Sequence, residues 1–112
     1  MSTLFKKIID REIPAQIVYE DDMCLAFRDI NPQAPTNVLL VPKKEIARLV
    51  DAKPEDQALL GHLLLAANKI AQQLGIGDAF RLVLNNGESV GQSVFHVHCH
   101  ILGGRSFKWP PG

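Results

Sequence analysis

The stretch His96-Val97-His98-Cys99-His100-Ile101-Leu102 alternates histidine with an apolar or small residue, then closes on two aliphatics. A period of two is the mark of a β-strand, in which successive side chains face opposite sides of the sheet. The strand is read as Phe95 to Leu102. Val97, Cys99 and Ile101 then point into a core, and His96, His98 and His100 share the other face, successive rings about 7 Å apart by strand rise. Core packing does not ask for such a row. Three imidazoles side by side are costly to bury and repel one another once protonated. The row therefore points to chemistry.

Working outward, Asn85-Asn86-Gly87-Glu88-Ser89-Val90-Gly91-Gln92-Ser93 is a polar, glycine-containing loop, and Phe80-Arg81-Leu82-Val83-Leu84 is the strand before it. Pro54 opens a long helix, where a first-turn proline sacrifices no hydrogen bond, and Glu55 and Asp56 suit its positive end. Leu59, Leu60, Leu63, Leu64, Ala67, Ile70, Ala71 and Leu74 form its apolar stripe, and Gly75 stops it. His62, alone within this helix, reads as a surface or packed residue. Val38-Leu39-Leu40-Val41-Pro42 is nearly continuous in apolar character, as a central strand is, and Lys43 onward reads as surface. Asn31-Pro32-Gln33-Ala34-Pro35-Thr36-Asn37 is a loop, because two prolines bar a helix interior. Ile17–Glu20 and Cys24–Arg28 form a hairpin around Asp21-Asp22. Leu4, Phe5, Ile8 and Ile9 recur at helical spacing in a short opening helix ended by Pro14. Five strands with short connections, one long helix and one short helix predict an α+β domain on an antiparallel sheet.

Bulk composition narrows the function classes. The 112 residues suit one domain, 1–112, without internal repeats. Formal net charge is zero and the lysines are scattered, so the phosphate-contacting surface of a nucleic-acid binder is not expected. The longest apolar run, Leu63-Leu64-Leu65-Ala66-Ala67, is too short to span a bilayer, and charges interrupt the N-terminal apolar residues, so neither a membrane partner nor a signal peptide is expected. The two cysteines, Cys24 and Cys99, show no metal-ligand spacing and read as reduced core residues, which suits a cytoplasmic protein.

Two chemistries fit the histidine row. Histidines two apart on a strand can share a zinc ion, given a further ligand and an open position. Alternatively, an imidazole that is mostly neutral near pH 7 attacks phosphorus and forms a phosphohistidine. Gly91-Gln92-Ser93 favours the second, because glycine lets backbone donors approach an anion and Ser93 adds a hydroxyl. Asn85 ends the preceding strand and extends this anion-binding set.

The His-φ-His-φ-His-φ-φ pattern resembles the signature of the histidine triad (HIT) superfamily. Further stretches resemble its nucleotide-binding HINT branch: Phe5-Lys6-Lys7-Ile8-Ile9, Glu12-Ile13-Pro14-Ala15, Glu20-Asp21-Asp22, Leu25-Ala26-Phe27, Asp29-Ile30, Pro32-Gln33-Ala34-Pro35-Thr36, Val41-Pro42-Lys43-Lys44, Gly91-Gln92-Ser93-Val94, Gly103-Gly104-Arg105 and Trp109-Pro110-Pro111-Gly112. The resemblance covers almost the whole chain, and the tail favours HINT over the dinucleoside-polyphosphate hydrolase branch.

The resemblance implies a homodimer whose sheets join into ten strands, and cleavage of the P–N bond in nucleoside 5′-phosphoramidates, AMP-type compounds especially, without cofactor or metal. It makes His98 the nucleophile, His100 a phosphate contact, His96 the residue that orients the row, and Ser93 a contact of leaving group and phosphate. Asn85, Gly91 and Gln92 line the phosphate site, Asp29 holds the ribose hydroxyls with Ile30 beside it, and Leu4, Phe5, Ile8, Phe27, Arg28 and Leu39 surround the base. The tail, 105–112, lies near the dimer interface and active site, with Trp109 at the partner's leaving group. From the residues alone, Asp29 also reads as a loop cap, Phe5, Ile8 and Phe27 as core, and Trp109 as dimer packing.

Two family histidines are replaced, by Asn37 and Glu45. Asparagine hydrogen-bonds but cannot relay a proton. With the nucleophile and its phosphate contacts intact, activity is expected. The competing readings are a nucleotide-binding regulatory or adaptor protein and a zinc-dependent hydrolase.

Overall fold

Thr3 begins the first element. Its hydroxyl accepts the Lys6 N–H at 3.1 Å, satisfying a donor that the first helical turn leaves free, and α1 runs over Leu4–Ile9. The computed structural model describes residues 2–112. The remaining elements are β1 (Ile17–Glu20), β2 (Cys24–Arg28), β3 (Thr36–Pro42), α2 (Gln57–Gln73), β4 (Phe80–Val83) and β5 (Cys99–Gly103), with single 3-10 turns at Leu49–Asp51, Pro54–Asp56 and Glu88–Val90. The strands form one sheet in the order β1-β2-β3-β5-β4, and every neighbouring pair is antiparallel. The expected α+β class, five-stranded sheet and two helices are all present.

Strand alternation divides the core in two. Cys24 and Ala26 of β2, Val38 and Leu40 of β3, and Cys99 and Ile101 of β5 meet Leu63, Ala67 and Ile70 of α2. The opposite face presents Leu25, Phe27, Leu39 and Val41 to Phe5 and Ile8 of α1. The long helix thus seals one face, and the short helix covers only part of the other. That partial cover leaves room for a cavity.

Several boundaries differ from the sequence reading. The strand expected to begin at Phe95 begins at Cys99, paired with Leu40. Two residues further along β3 stands Pro42, which has no N–H to extend a ladder. His96 and His98 therefore lie in the irregular run leading into β5. Val97 N–H bonds instead to the Ile46 carbonyl oxygen at 2.7 Å, and Ile46 is core, not surface. β3 starts at Thr36, so Thr36 and Asn37 belong to the strand and not to the loop. β4 stops at Val83. α1 ends before Pro14: Arg11 takes a left-handed φ of 62°, and the Glu12 N–H turns back to the Lys7 carbonyl at 2.8 Å. Pro54 begins a 3-10 turn, with α2 following from Gln57. On α2, Ala66 is buried, whereas Leu64, assigned to the stripe, is 63% exposed.

Candidate active site

The uncovered part of the α1 face is a cavity of ≈ 490 Å³, within the usual size of small-molecule sites. α1 supplies Leu4, Phe5 and Ile8, β2 and the turn after it supply Phe27, Arg28, Asp29 and Ile30, and β3 supplies Leu39. The loop before β5 supplies Gly91 and Ser93, and the run into β5 supplies His98 and His100. Its lining is of two kinds. Phe5, Ile8, Phe27 and Leu39 are apolar, with Phe5 and Phe27 edge to face at 5.4 Å. The two imidazoles, Ser93 and Asp29 are polar.

His98 is the most constrained of these groups. Its Nδ1 lies 2.8 Å from the His96 carbonyl oxygen. A carbonyl only accepts, so Nδ1 carries the proton and Nε2 keeps a lone pair. Phe5 braces the ring edge to face at 4.9 Å, and the His100 ring stands 5.2 Å away at 65°. Burial lowers the pKa of His98 below its ordinary 6.5, outweighing the opposing influence of the His96 carbonyl and Asp29. Burial and the neighbouring His98 lower His100 as well. Both rings are therefore neutral at pH 7.

His96 is placed differently from its partners. Its ring is almost fully buried behind Phe5, and its Nε2–H donates to the Pro42 carbonyl oxygen at 2.7 Å. It does not reach the cavity wall. Its ring and its carbonyl oxygen instead link the end of β3 to His98.

The loop residues divide likewise. Gly91 and Ser93 reach the cavity, but Gln92 does not. The Gln92 side chain is buried within the loop, accepting from Gly87 N–H at 2.8 Å and donating to the carbonyl oxygens of Ala47 and Val94 at 2.8 and 3.1 Å. The Gly91 and Gln92 N–H groups are also engaged, with the Glu88 and Gly87 carbonyls. The expectation that these amides face an anion is thereby corrected: they hold the loop's shape and leave Ser93 as its polar contribution. Asn85 stands behind the wall, its Nδ2 3.6 Å from where a Cβ on Gly91 would lie. Gly91 has a φ of +111°, a conformation that side-chain-bearing residues rarely adopt.

Asp29 lines the cavity and also caps its own turn, its Oδ1 accepting the Asn31 N–H at 2.9 Å. Ile30 stands at the rim, 98% exposed. Trp109 is 82% exposed and lies outside the cavity wall. The tail before it is fastened elsewhere, the Arg105 guanidinium donating to the Gln33 carbonyl oxygen and Arg81 to that of Lys108. Four wall residues, Ile13, Pro14, Ala15 and Val94, were given no role from sequence. Their signal was present in the family-like stretches Glu12–Ala15 and Gly91–Val94 but carried no chemistry of its own.

Asn37 is 3% exposed, and neither its Oδ1 nor its Nδ2 has a hydrogen-bond partner. It stands opposite Leu102, diagonal to His100, which is paired with Leu39.

A HIT domain model matches residues 10–107. A HIT-like protein of Synechocystis sp. is 70% identical over 110 residues, covering 98% of this chain and 96% of the relative. The crystal structure of a HIT family hydrolase from Legionella pneumophila superposes with a TM-score of 0.96 at 50% identity, covering 99% of this chain and all of that one. The histidine triad nucleotide-binding protein of Candida albicans superposes at 0.83 with 31% identity, over 97% of this chain and 83% of its own. The chain belongs to the HIT domain family.

Proposed function

We propose that the protein is a hydrolase that cleaves the P–N bond of nucleoside 5′-phosphoramidates through a nucleotidyl-His98 intermediate. The observation that carries this reading is the state of His98: neutral, with Nδ1–H held by the His96 carbonyl, which leaves Nε2 with a free lone pair on a residue of the cavity wall. A nucleophile whose lone pair is aimed in advance needs no reorganisation at the moment of attack. The related HIT family hydrolase of Legionella pneumophila and the histidine triad nucleotide-binding protein of Candida albicans support the class of activity.

Nε2 attacks the α-phosphorus, and the P–N bond to the amine breaks. The departing amine takes a proton from the Ser93 hydroxyl or an imidazolium. Water then attacks the same phosphorus and returns a proton to the group that protonated the amine, the bond to His98 breaks, and the nucleoside monophosphate leaves with His98 neutral again. His100, 5.2 Å from His98, contacts the phosphate oxygens. Phe5, Ile8, Phe27, Leu4, Arg28 and Leu39 receive the purine, and Asp29 takes the ribose hydroxyls with Ile30 at the rim. Asn85 and Gln92 act from behind, by holding the loop that presents Gly91 and Ser93.

A homodimer belongs to the same proposal. β4 is an edge strand with one free side, which pairs with its copy to extend the sheet to ten strands. Leu64 and Leu49, both exposed, rim an apolar groove between α2 and the sheet, and burying it is what a second copy does. The tail from Arg105 onward would then carry Trp109 to the partner's leaving group. Residues 1–112 act as one domain of the cytoplasm, needing neither nucleic acid nor membrane; among the described residues no helix is long and apolar enough to cross a membrane.

The test is steady-state hydrolysis of a fluorogenic adenosine 5′-phosphoramidate in EDTA. Wild type is expected to turn over and His98→Asn to bind AMP without turnover. Equal rates would remove His98 as the nucleophile, and loss of wild-type activity to the chelator would favour a zinc-dependent hydrolase. AMP binding with no turnover by wild type would favour the adaptor reading, which the unpartnered Asn37 amide beside His100 supports.

A further inference from the structure

On the opposite side of the sheet from the histidine row, α2 crosses the β1–β2 turn and creates a cluster that no sequence spacing reveals. His62, 41 positions from Asp21, brings its Nε2 to 2.7 Å from Asp21 Oδ2. The Cys24 thiol donates to Asp21 Oδ1 at 3.4 Å, and the Tyr19 hydroxyl donates to Oδ2 at 2.9 Å. One donor atom from each of Asp21, Cys24 and His62 lies within 4.8 Å of the other two.

We propose that Asp21, Cys24 and His62 form a binding site for a thiophilic divalent cation of the zinc type, with Tyr19 or water in the fourth position. Three observations carry this. The first is the donor set: thiolate, imidazole and carboxylate are the three ligand types that zinc takes from proteins. The second is geometry. Zinc–ligand bonds of 2.0 to 2.3 Å in a tetrahedron set ligand atoms about 3.4–3.6 Å apart. The three donors reach that spacing by shifts of about an ångström, the hydrogen-bonded pair opening and the widest pair closing. Asp21 is divided for the purpose. Its Oδ1 is held by the N–H groups of Met23 and Cys24 at 2.8 and 2.9 Å, which fixes the carboxylate and leaves Oδ2 as the ligand.

The third observation is charge and access. Cys24 is fully buried, whereas Asp21 and His62 are partly exposed, with side-chain exposures of 25% and 33%. The site therefore has a solvent side for entry and an interior side for the soft ligand. A dication with one carboxylate and one thiolate is neutral overall, and a neutral centre is the form that a partly buried site tolerates best. Binding breaks the Cys24 S–H bond, forms the metal–sulfur bond and releases that proton to solvent, while the proton that His62 Nε2 shares with Asp21 moves to Nδ1 and frees Nε2 for the ion.

A bound ion ties the β1–β2 turn to the middle of α2, so its role is structural and separate from hydrolysis. The experiment is a cobalt(II) titration of the metal-free full chain, followed by displacement with zinc(II). Cobalt is expected to bind one to one with a near-ultraviolet thiolate charge-transfer band. That band is expected to persist in Cys99→Ala and His98→Asn, which test the other thiol and the histidine row. His62→Gln, at a half-exposed position that tolerates polar side chains, is expected to weaken binding at least about tenfold while leaving hydrolysis unchanged. Zinc is expected to raise the thermal midpoint of wild type and not that of His62→Gln. A titration with no thiolate band, a band unaltered by His62→Gln, or a band lost in Cys99→Ala or His98→Asn would each overturn the site.

Discussion

His98 is held by two contacts, the His96 carbonyl at Nδ1 and the Phe5 ring at its side. Because burial lowers its pKa, neutral imidazole persists to a more acidic pH than for a free histidine. The kcat/KM profile is therefore expected to show an acid limb with its midpoint below 6.5 and no loss of activity on the neutral side from this group. A limb centred above 6.5 would mean that His98 is held protonated. Stability follows the same sign. Burial lowers His96, His98 and His100, so below 6.5 the unfolded chain binds protons that the folded chain refuses, and unfolding becomes easier as pH falls. Asp21 acts in a lower window. Burial alone would raise it, but hydrogen bonds from Met23, His62, Tyr19 and Cys24 hold it well below the usual carboxylate range, and that contribution fades only as the pH falls below about 4. Asn37 gives a separate prediction. Its buried amide is unpartnered, and such a group costs roughly 1–3 kcal/mol. Asn37→Leu, nearly isosteric, is expected to raise the thermal midpoint. If hydrolysis slows in the same variant, the amide serves His100 at the expense of stability.

Among the elements, the approach to α2 shows how local chemistry fixes an entry point. Asp56 is buried, and its carboxylate accepts the Lys53 N–H at 2.9 Å and pairs with Lys44. It closes the 3-10 turn that delivers the chain into the helix. Asp56→Ala is expected to cost about 2 kcal/mol, measured by denaturant unfolding, with kcat unchanged because the turn is remote from the cavity. An unchanged unfolding midpoint would show that neither the Lys53 hydrogen bond nor the Lys44 pair carries this stability. The helix, the hairpin and the central strand were legible in the sequence because period and turn chemistry are local properties. The start of β5 was not. His96–Leu102 alternates perfectly, but whether a ladder extends to His96 depends on the partner strand, and Pro42 ends it. For the same reason the histidine row was legible as a cluster but not in its division of labour, with His96 bonded to Pro42 and only His98 and His100 in the cavity. Gln92 reads as an anion contact from its glycine neighbour. Its burial depends on Ala47, which lies 45 positions away. His62 reads as incidental for a similar reason, since its partner lies in a turn across the sheet.

At the scale of the whole molecule, the cavity and the tail do not meet within one chain. Trp109 is exposed, and the segment before it is anchored by Arg105 to Gln33. Under the proposal, a second copy that pairs along β4 and covers the α2 groove would bring a foreign tail to each cavity, so the proposed dimer and leaving-group selectivity are one question. Leu64 separates the possibilities, since it is 63% exposed on α2, which packs on the sheet face opposite the cavity. Leu64→Asp places a charge where the proposed interface is apolar, and it is expected to convert a dimer into a monomer in sedimentation velocity while leaving the fold intact. Trp109→Ala is expected to change kcat/KM between bulky and small amine leaving groups in the dimeric background. In the Leu64→Asp background the same substitution is expected to change nothing, because no partner tail is present to lose. Should Trp109→Ala have equal effects in both backgrounds, the tail acts within its own chain, and if wild type sediments as a monomer, β4 is a genuine free edge and leaving-group selectivity resides in Ser93 and the cavity rim.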